Sequence, residues 1–277
     1  MTRALDINDL DGQAHEIWRL GNELCGDCGT YHKLRGVLLK AGGLHGGRHD
    51  TETLKPFFQR LTFPGVRILI AGSADAGLLR TVLDCAEARP LAITILDLCP
   101  TPLALIDRLQ PIPDVSISTQ VADLTQPLEI GGFDLIVSHS MLPFVPWERR
   151  GLVLDSLRSA LAPGGRLVVS ASVGDGMTAD SRRTARQAWL GKVLKAVDDL
   201  PEMATLLGEA KQELLRDYTE RFRYTDDAFA TVEQIAGLLE AHGLEIDEQG
   251  YGSDRPAVGV ATPGRRSAIF VSHARTV

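Results

Sequence analysis

Short apolar runs alternate with amphipathic segments through the middle of the chain. The run at 66–72 ends in a glycine, the run at 91–98 has an aspartate near its end, and apolar residues recur at helical spacing between them. Three further strand candidates follow in the same order: 115–123, 131–140 and 161–172. Such runs, separated by helices, are typical of strands that are buried on both faces. The alternation predicts an α/β fold with a mostly parallel, doubly wound sheet.

The pattern changes after residue 172. Residues 178–217 have the periodicity of one or two helices, and 231–244 form an amphipathic helix candidate. Two final strand candidates, 245–251 and 266–274, are joined by a polar, glycine-rich link that is unsuited to a crossover helix. Strands joined by a loop pair antiparallel. We therefore expect seven strands, the last of them reversed.

The first 62 residues have apolar positions at helical spacing and no strand pattern. They predict an N-terminal helical cap, residues 1–62, in front of an α/β domain at 63–277. The helical stretch after the fifth strand is expected to be an insertion in that domain, at about 176–225.

Composition narrows the classes of partner. The chain has 277 residues, is 44% hydrophobic and has a formal net charge of −7. This charge argues against a partner whose main feature is the nucleic-acid phosphate backbone. Because no run of about 18 apolar residues occurs, no membrane span is expected. The N-terminus has no apolar signal core, so the expected location is cytoplasmic. A homodimer is possible from the sequence.

The strongest local signal is A-G-S-A-D-A-G at 71–77, between a predicted strand and a predicted helix. Gly72 permits a sharp bend, and the small residues that follow let backbone approach a ligand closely. Asp97 ends the next strand, where a carboxylate can accept the hydroxyls of an adenosine ribose. These features alone do not distinguish NAD from S-adenosylmethionine, since positions 72, 74 and 77 fit a relaxed dinucleotide-binding pattern.

Three later motifs distinguish the two cofactors. VADL puts Asp123 after the third strand, FDLIVSHSML puts Ser138 and His139 at the exit of the fourth, and LAPGGRLVVS forms the fifth. Together with ILIAGSADAG and ITILDL, this order resembles the class I, Rossmann-like S-adenosylmethionine-dependent methyltransferases over residues 66–172. The resemblance implies S-adenosyl-L-methionine as cofactor, with a ribose-binding acid at Asp97 and an adenine contact at Asp123. The full set of predicted cofactor-binding residues is Gly72, Ser73, Ala74, Asp75, Gly77, Asp97, Leu98, Asp123, Leu124 and Ser138.

The first motif departs from the usual pattern of this family. The acid commonly found before the first glycine is missing, because Ile70 and Ala71 stand there, and the later glycines are Ala74 and Ala76. The amino group of the cofactor therefore lacks its usual acidic partner at this position. Asp75, inside the loop, is a candidate substitute.

Methyl transfer from a sulfonium depends mainly on positioning, and a general base is needed only when the acceptor arrives protonated. His139 is the candidate base because it follows the fourth strand, although a role in shaping the pocket wall is equally compatible with its position. Tyr31 and His32 in the helical cap are further catalytic candidates, and packing is the alternative role for them.

Cys25 and Cys28 form a single C-x-x-C pair. A zinc site needs further ligands, for which His15, His32, His45 and His49 are near in sequence, but the segment equally fits a helix end with a glycine-rich turn. No metal is therefore expected. Cys85 and Cys99 stand in apolar surroundings and are expected to be core residues.

The function predicted from these observations is methylation of a small-molecule acceptor on O, N or C. No N/D-P-P-Y/F motif follows the fourth strand. Three alternatives remain open: other chemistry on the same cofactor, such as cyclisation of its aminobutyl arm; a non-catalytic cofactor-binding module; and an NAD-dependent oxidoreductase, for which no Tyr-x-x-x-Lys signature is found.

Overall fold

The structure, a computed structural model, describes residues 4–26, 28–44, 51–174, 177–222, 229–252 and 266–275. The described strands are β1 (Arg67–Ala71), β2 (Leu91–Asp97), β3 (Val115–Val121), β4 (Phe133–His139), β5 (Leu161–Val173), β6 (Leu244–Tyr251) and β7 (Arg266–Ala274). They form one sheet with the order β3-β2-β1-β4-β5-β7-β6.

The direction of the strands follows the sequence-based expectation. β1 to β5 pair in parallel, and β7 pairs antiparallel with both β5 and β6. The prediction of a doubly wound, mostly parallel seven-stranded sheet with a reversed last strand is confirmed. The link between β6 and β7, which was predicted to be a loop, comprises residues 253–265. These residues are outside the part of the chain that the structure describes.

Ten α-helices are described: α1 (Leu10–Leu24), α2 (Thr30–Lys40), α3 (Thr51–Leu61), α4 (Gly77–Cys85), α5 (Pro100–Ile106), α6 (Arg150–Ala160), α7 (Ala179–Asp198), α8 (Pro201–Leu207), α9 (Lys211–Phe222) and α10 (Val232–Ala241). Within the described ranges, none has the length and apolar character that crossing a bilayer requires.

Each face of the sheet has its own hydrophobic core. Ile68 and Ile70 point into a core shared with α3 and α4, whereas Leu69 and Ala71 belong to a second core, shared with α6 and α10. Because alternate residues of one strand are buried on opposite faces, the strand must be apolar at successive positions. This explains the continuous apolar runs in the sequence.

The helices of the predicted cap divide into two groups. α1 and α2 share a core with α7, α8 and α9, in which Leu34 and Leu38 join Trp189 and Tyr218. α3 instead packs against α4, and its Phe58 belongs to the core of the sheet. The N-terminal pair and the insertion therefore form one helical layer, and the third helix of the predicted cap is part of the sheet domain.

Candidate active site

The bend after β1 is formed as its small residues predict. Gly72 has a φ of +81°, a conformation that costs other residues strain. A Cβ at this position would also lie 2.6 Å from Cγ of Met141, so the Met141 side chain covers the glycine. Ser73 Oγ donates to the Asp75 carbonyl at 2.7 Å and closes the bend. The sequence motif at 133–142 does not predict this contact of Met141, because it joins two separate segments of the chain.

Asp97 links this bend to the end of β2. One carboxylate oxygen accepts the Ser73 N–H at 2.8 Å, and the other accepts the Cys99 N–H at 2.7 Å. Burial raises the pKa of Asp97, and the two N–H donors partly oppose this rise. A carboxylate has about four lone-pair positions, so the two unused ones can accept ligand hydroxyls. The next side chain, Leu98, is 69% exposed, which leaves an apolar surface beside the acid.

Asp123 and Leu124 follow β3 at the same edge. The Thr125 N–H and hydroxyl donate to one Asp123 oxygen at 2.9 and 2.7 Å, and these bonds lower the pKa of Asp123. Arg149 lies 3.5 Å from the other oxygen. Leu124 is buried. The turn is thus locally ordered, with the carboxylate still partly exposed to solvent.

Asp75 is engaged by protein groups. Arg35 of α2 donates to one oxygen at 2.6 Å, and the Gly77 N–H donates to the other at 2.6 Å. Burial alone would raise the pKa of Asp75, but the Arg35 charge outweighs it and holds the pKa below its ordinary value. The carboxylate therefore ties the helical layer to the glycine-rich bend.

The end of β4 brings Ser138 and His139 to the carboxyl edge, where β4 pairs with β5. Ser138 is 1% exposed, and its hydroxyl has no hydrogen-bond partner among the described residues. An unpaired buried hydroxyl costs free energy, which a ligand acceptor or donor would recover. Ser140 continues the edge with a φ of +53° and donates its N–H to the Ser170 carbonyl.

Tyr31 lies in an aromatic group, defined by Tyr31, Phe144, Tyr218 and Phe222. Its ring centroid is 5.1 Å from that of Phe144, in the short turn Leu142–Phe144 after β4, and 5.1 Å from that of Phe222 in α9. Burial raises the pKa of Tyr31. Phe144 is 53% exposed. The helical layer thus meets the segment that follows β4 through aromatic side chains.

His32 faces sulfur atoms. Its Nδ1 lies 3.4 Å from Sγ of Cys28 and 3.6 Å from Sγ of Cys25. Burial opposes protonation of His32, but the sulfur partners outweigh it and raise its pKa to about 9. Cys99 is half-buried in the same group, and a hydrogen bond from Cys25 lowers its pKa to about 3.

The expectation that Cys99 is an ordinary core residue is wrong, because the α1–α2 turn packs onto the end of β2. Cys85 is a buried core residue, as expected.

The sheet order defines a Rossmann-like α/β fold, with the glycine-rich bend and Asp97 at its carboxyl edge. Residues 72–169, from the glycine-rich bend to β5, match a family model described as a methyltransferase domain. None of the curated protein sequences matches the chain. The match lies within the segment whose sequence motifs resemble the class I S-adenosylmethionine-dependent methyltransferases.

Solved structures agree on the fold. The N-methyltransferase NodS from Bradyrhizobium japonicum has 16% identity and a TM-score of 0.51, over 95% of this chain and 100% of its own. A protein from Rhodobacter sphaeroides described as a Zn-dependent alcohol dehydrogenase has 16% identity and a TM-score of 0.54, over 95% and 98%. A methyltransferase from Methanosarcina mazei has 13% identity and a TM-score of 0.51, over 80% and 98%. At these identities the likeness concerns the fold alone.

Proposed function

We propose that the enzyme methylates a small-molecule acceptor by in-line transfer, with the acceptor bound between α2, α9 and the segment after β4. The observation that carries this proposal is the aromatic group at the exit of β4. Tyr31 and Phe222 come from the helical layer, and the half-exposed Phe144 comes from the sheet domain. Aromatic walls with a few polar groups are typical of small-molecule pockets.

The residues at the carboxyl edge fit the cofactor. We expect Asp97 to accept the ribose hydroxyls, Leu98 to cover one face of the adenine, and Asp123 with Leu124 to frame its edge. The unpaired Ser138 hydroxyl and the exposed Leu98 side chain support this assignment, because a ligand would satisfy the first and cover the second. Gly72, Ser73, Ala74 and Gly77 would form the bend against the cofactor.

Two side chains modify the expected arrangement. Met141 covers Gly72, so its flexible thioether must shift or form part of the cofactor pocket. Asp75 already pairs with Arg35 and Gly77, which makes it a positioning residue for the bend. Its assignment to the amino group of the cofactor stays a prediction, as do the catalytic assignments of Tyr31 and His32.

The cofactor supplies the activated methyl group when it is bound. The residues of this chain then have to orient the acceptor and keep water out, which requires little covalent chemistry. His139 ends β4 and is the candidate base for an acceptor that arrives protonated. The net charge of −7 supports a small acceptor over a nucleic acid. A cytoplasmic location and a homodimer remain predictions.

Binding measurements test the cofactor assignment. Calorimetry with S-adenosylhomocysteine and NAD in parallel should show binding of the first only. Leu98→Ala removes an exposed side chain and should leave folding unchanged, but it should weaken binding by about 1–2 kcal/mol, because a partly covered Leu side chain contributes less than the roughly 1.5–3 kcal/mol of full burial. Asp97→Asn should weaken it by about 1.5–3 kcal/mol, the scale of a hydrogen bond to a charged group. The matched control is Asp180→Asn, at a side chain 82% exposed in α7.

The product distinguishes the remaining activities. A panel of small acceptors should yield S-adenosylhomocysteine and a methylated product, with a higher KM for the acceptor in Phe144→Ala. Methylthioadenosine instead would indicate cyclisation of the aminobutyl arm, and binding without any turnover would indicate a non-catalytic module. Equal affinity of wild type, Leu98→Ala and Asp97→Asn would refute the assigned cofactor site.

A further inference from the structure

Three cysteines and one histidine from distant parts of the chain meet beside the carboxyl end of β2. Cys25 caps the end of α1, Cys28 and His32 lie at the start of α2, and Cys99 directly precedes α5. Their ligand atoms all lie within 4.8 Å of one another. These four residues are called the Cys3His cluster below.

The spacing of the ligand atoms matches a single tetrahedral ion. Sγ of Cys99 is 3.8 Å from Sγ of Cys25 and 3.5 Å from Sγ of Cys28. Nδ1 of His32 is 3.6 and 3.4 Å from these two sulfurs. Tetrahedral zinc, with bonds of about 2.3 Å to sulfur and 2.0–2.1 Å to nitrogen, separates its ligand atoms by about 3.8 Å for two sulfurs and about 3.5 Å for sulfur and nitrogen.

We propose that the Cys3His cluster binds one zinc ion. Three thiolates with one imidazole in tetrahedral array form a donor set that favours zinc among the common divalent ions. A disulfide would use only two of the sulfurs and would leave the third, and the imidazole, without a reason to converge there. The proposal replaces the expectation of no metal, which considered Cys25, Cys28 and His32 but lacked the thiol of Cys99.

The surroundings of the Cys3His cluster resemble the supporting shell of a structural metal site. Oγ1 of Thr101 is 3.0 Å from Sγ of Cys25, and Thr101 is fully buried. The Cys99 N–H donates to Asp97, which orients the segment that carries this ligand. Hydrogen bonds of this kind fix the ligands and are a regular part of metal sites. Because the protein supplies all four ligands, the site has no open position and is structural.

Zinc here would fasten the α1–α2 turn to the end of β2. Cys99 is two residues beyond Asp97, the proposed ribose-binding acid, so the ion would also hold that acid in place. This consequence rests on the proposed function, whereas metal binding itself does not. Loss of the metal should therefore weaken binding of S-adenosylhomocysteine without removing any cofactor contact.

The test measures metal content directly. The purified full chain is loaded with zinc, separated from free metal by gel filtration and analysed by elemental mass spectrometry, for wild type, Cys28→Ala and Cys85→Ala. Cys85 is a free, buried cysteine outside the cluster and gives the matched control. We expect about one zinc per chain in wild type and in Cys85→Ala, and a loss of about tenfold or more in Cys28→Ala.

A second measurement covers the case in which Cys28→Ala fails to fold. Wild type loaded with Co²⁺ should show thiolate-to-metal charge-transfer absorption and the visible bands of a tetrahedral site, and added Zn²⁺ should abolish them. The proposal would be overturned if wild type held no metal or if Cys28→Ala held as much metal as wild type. It would also be overturned if two cysteines of the cluster formed a disulfide. One zinc per chain without any binding of S-adenosylhomocysteine would refute the cofactor site and leave the metal site standing.

Discussion

Arg35 and Asp75 form an ion pair between the helical layer and the glycine-rich bend, and its disruption should destabilise the fold. Arg35 Nε donates to Asp75 at 2.6 Å, and the two side chains are 15% and 8% exposed. Arg35→Leu leaves a buried carboxylate with only the Gly77 N–H as partner. Removing one member of a buried pair costs about 3–5 kcal/mol. We expect this loss in the free energy of unfolding of Arg35→Leu.

Urea denaturation followed by circular dichroism measures the loss. Asp75→Asn in the Arg35→Leu background removes the uncompensated charge, so the double variant should be more stable than the sum of the two single losses predicts. Arg183→Leu is the matched control, because its partner Asp180 and Arg183 itself are 82% and 71% exposed. Exposed pairs contribute about 0–1 kcal/mol.

The same pair predicts a pH dependence. The pKa of Asp75 is lowered in the folded state, so its stabilising contribution is present above the unfolded pKa of about 3.9 and is lost as the pH falls through the folded pKa. In Arg35→Leu, burial without the counter-charge raises that pKa. The stability difference between wild type and variant should therefore shrink as the pH falls, first through the raised pKa of the variant and then, below about 4, through the lowered pKa of the wild type. A loss below about 1 kcal/mol at neutral pH, or strictly additive variants, would refute the reasoning.

Two further predictions concern glycines. Gly36→Ala should destabilise the helical layer by about 1–3 kcal/mol, since its Cβ would lie 2.4 Å from the Ala14 Cα of α1. The control Gly191→Ala places its Cβ in open space on α7 and should be neutral or stabilising. Equal effects of the two variants in urea denaturation would contradict this prediction. Gly72→Ala should lower the free energy of unfolding by about 1–2 kcal/mol through its φ of +81° alone. Adding Met141→Ala should relieve only the steric clash with the new Cβ and leave this backbone strain. Full recovery of the wild-type stability by the double variant in thermal melts would exclude backbone strain.

Most of the sheet could be predicted from the chain itself. Parallel strands buried on both faces need continuous apolar runs, and those runs at β1, β2 and β4 are visible without any tertiary information. The reversed final pair followed from a link unsuited to a crossover helix. The carboxyl-edge positions of Asp97, Asp123 and His139 followed as well, because each comes at or just after the end of a parallel strand.

Contacts between distant segments depended on packing. Cys99 stands 74 positions after Cys25, and Arg35 stands 40 before Asp75, so no local pattern pairs them. Their meeting requires α1 and α2 to dock over the ends of β1 and β2, which is determined by the shapes and burial of whole helix faces. The sequence by itself therefore determined the strands, the reversal of the last one and the candidate edge of the site. Only the tertiary structure decided which side chains meet there, because local periodicity specifies which face of an element is buried and not what that face contacts.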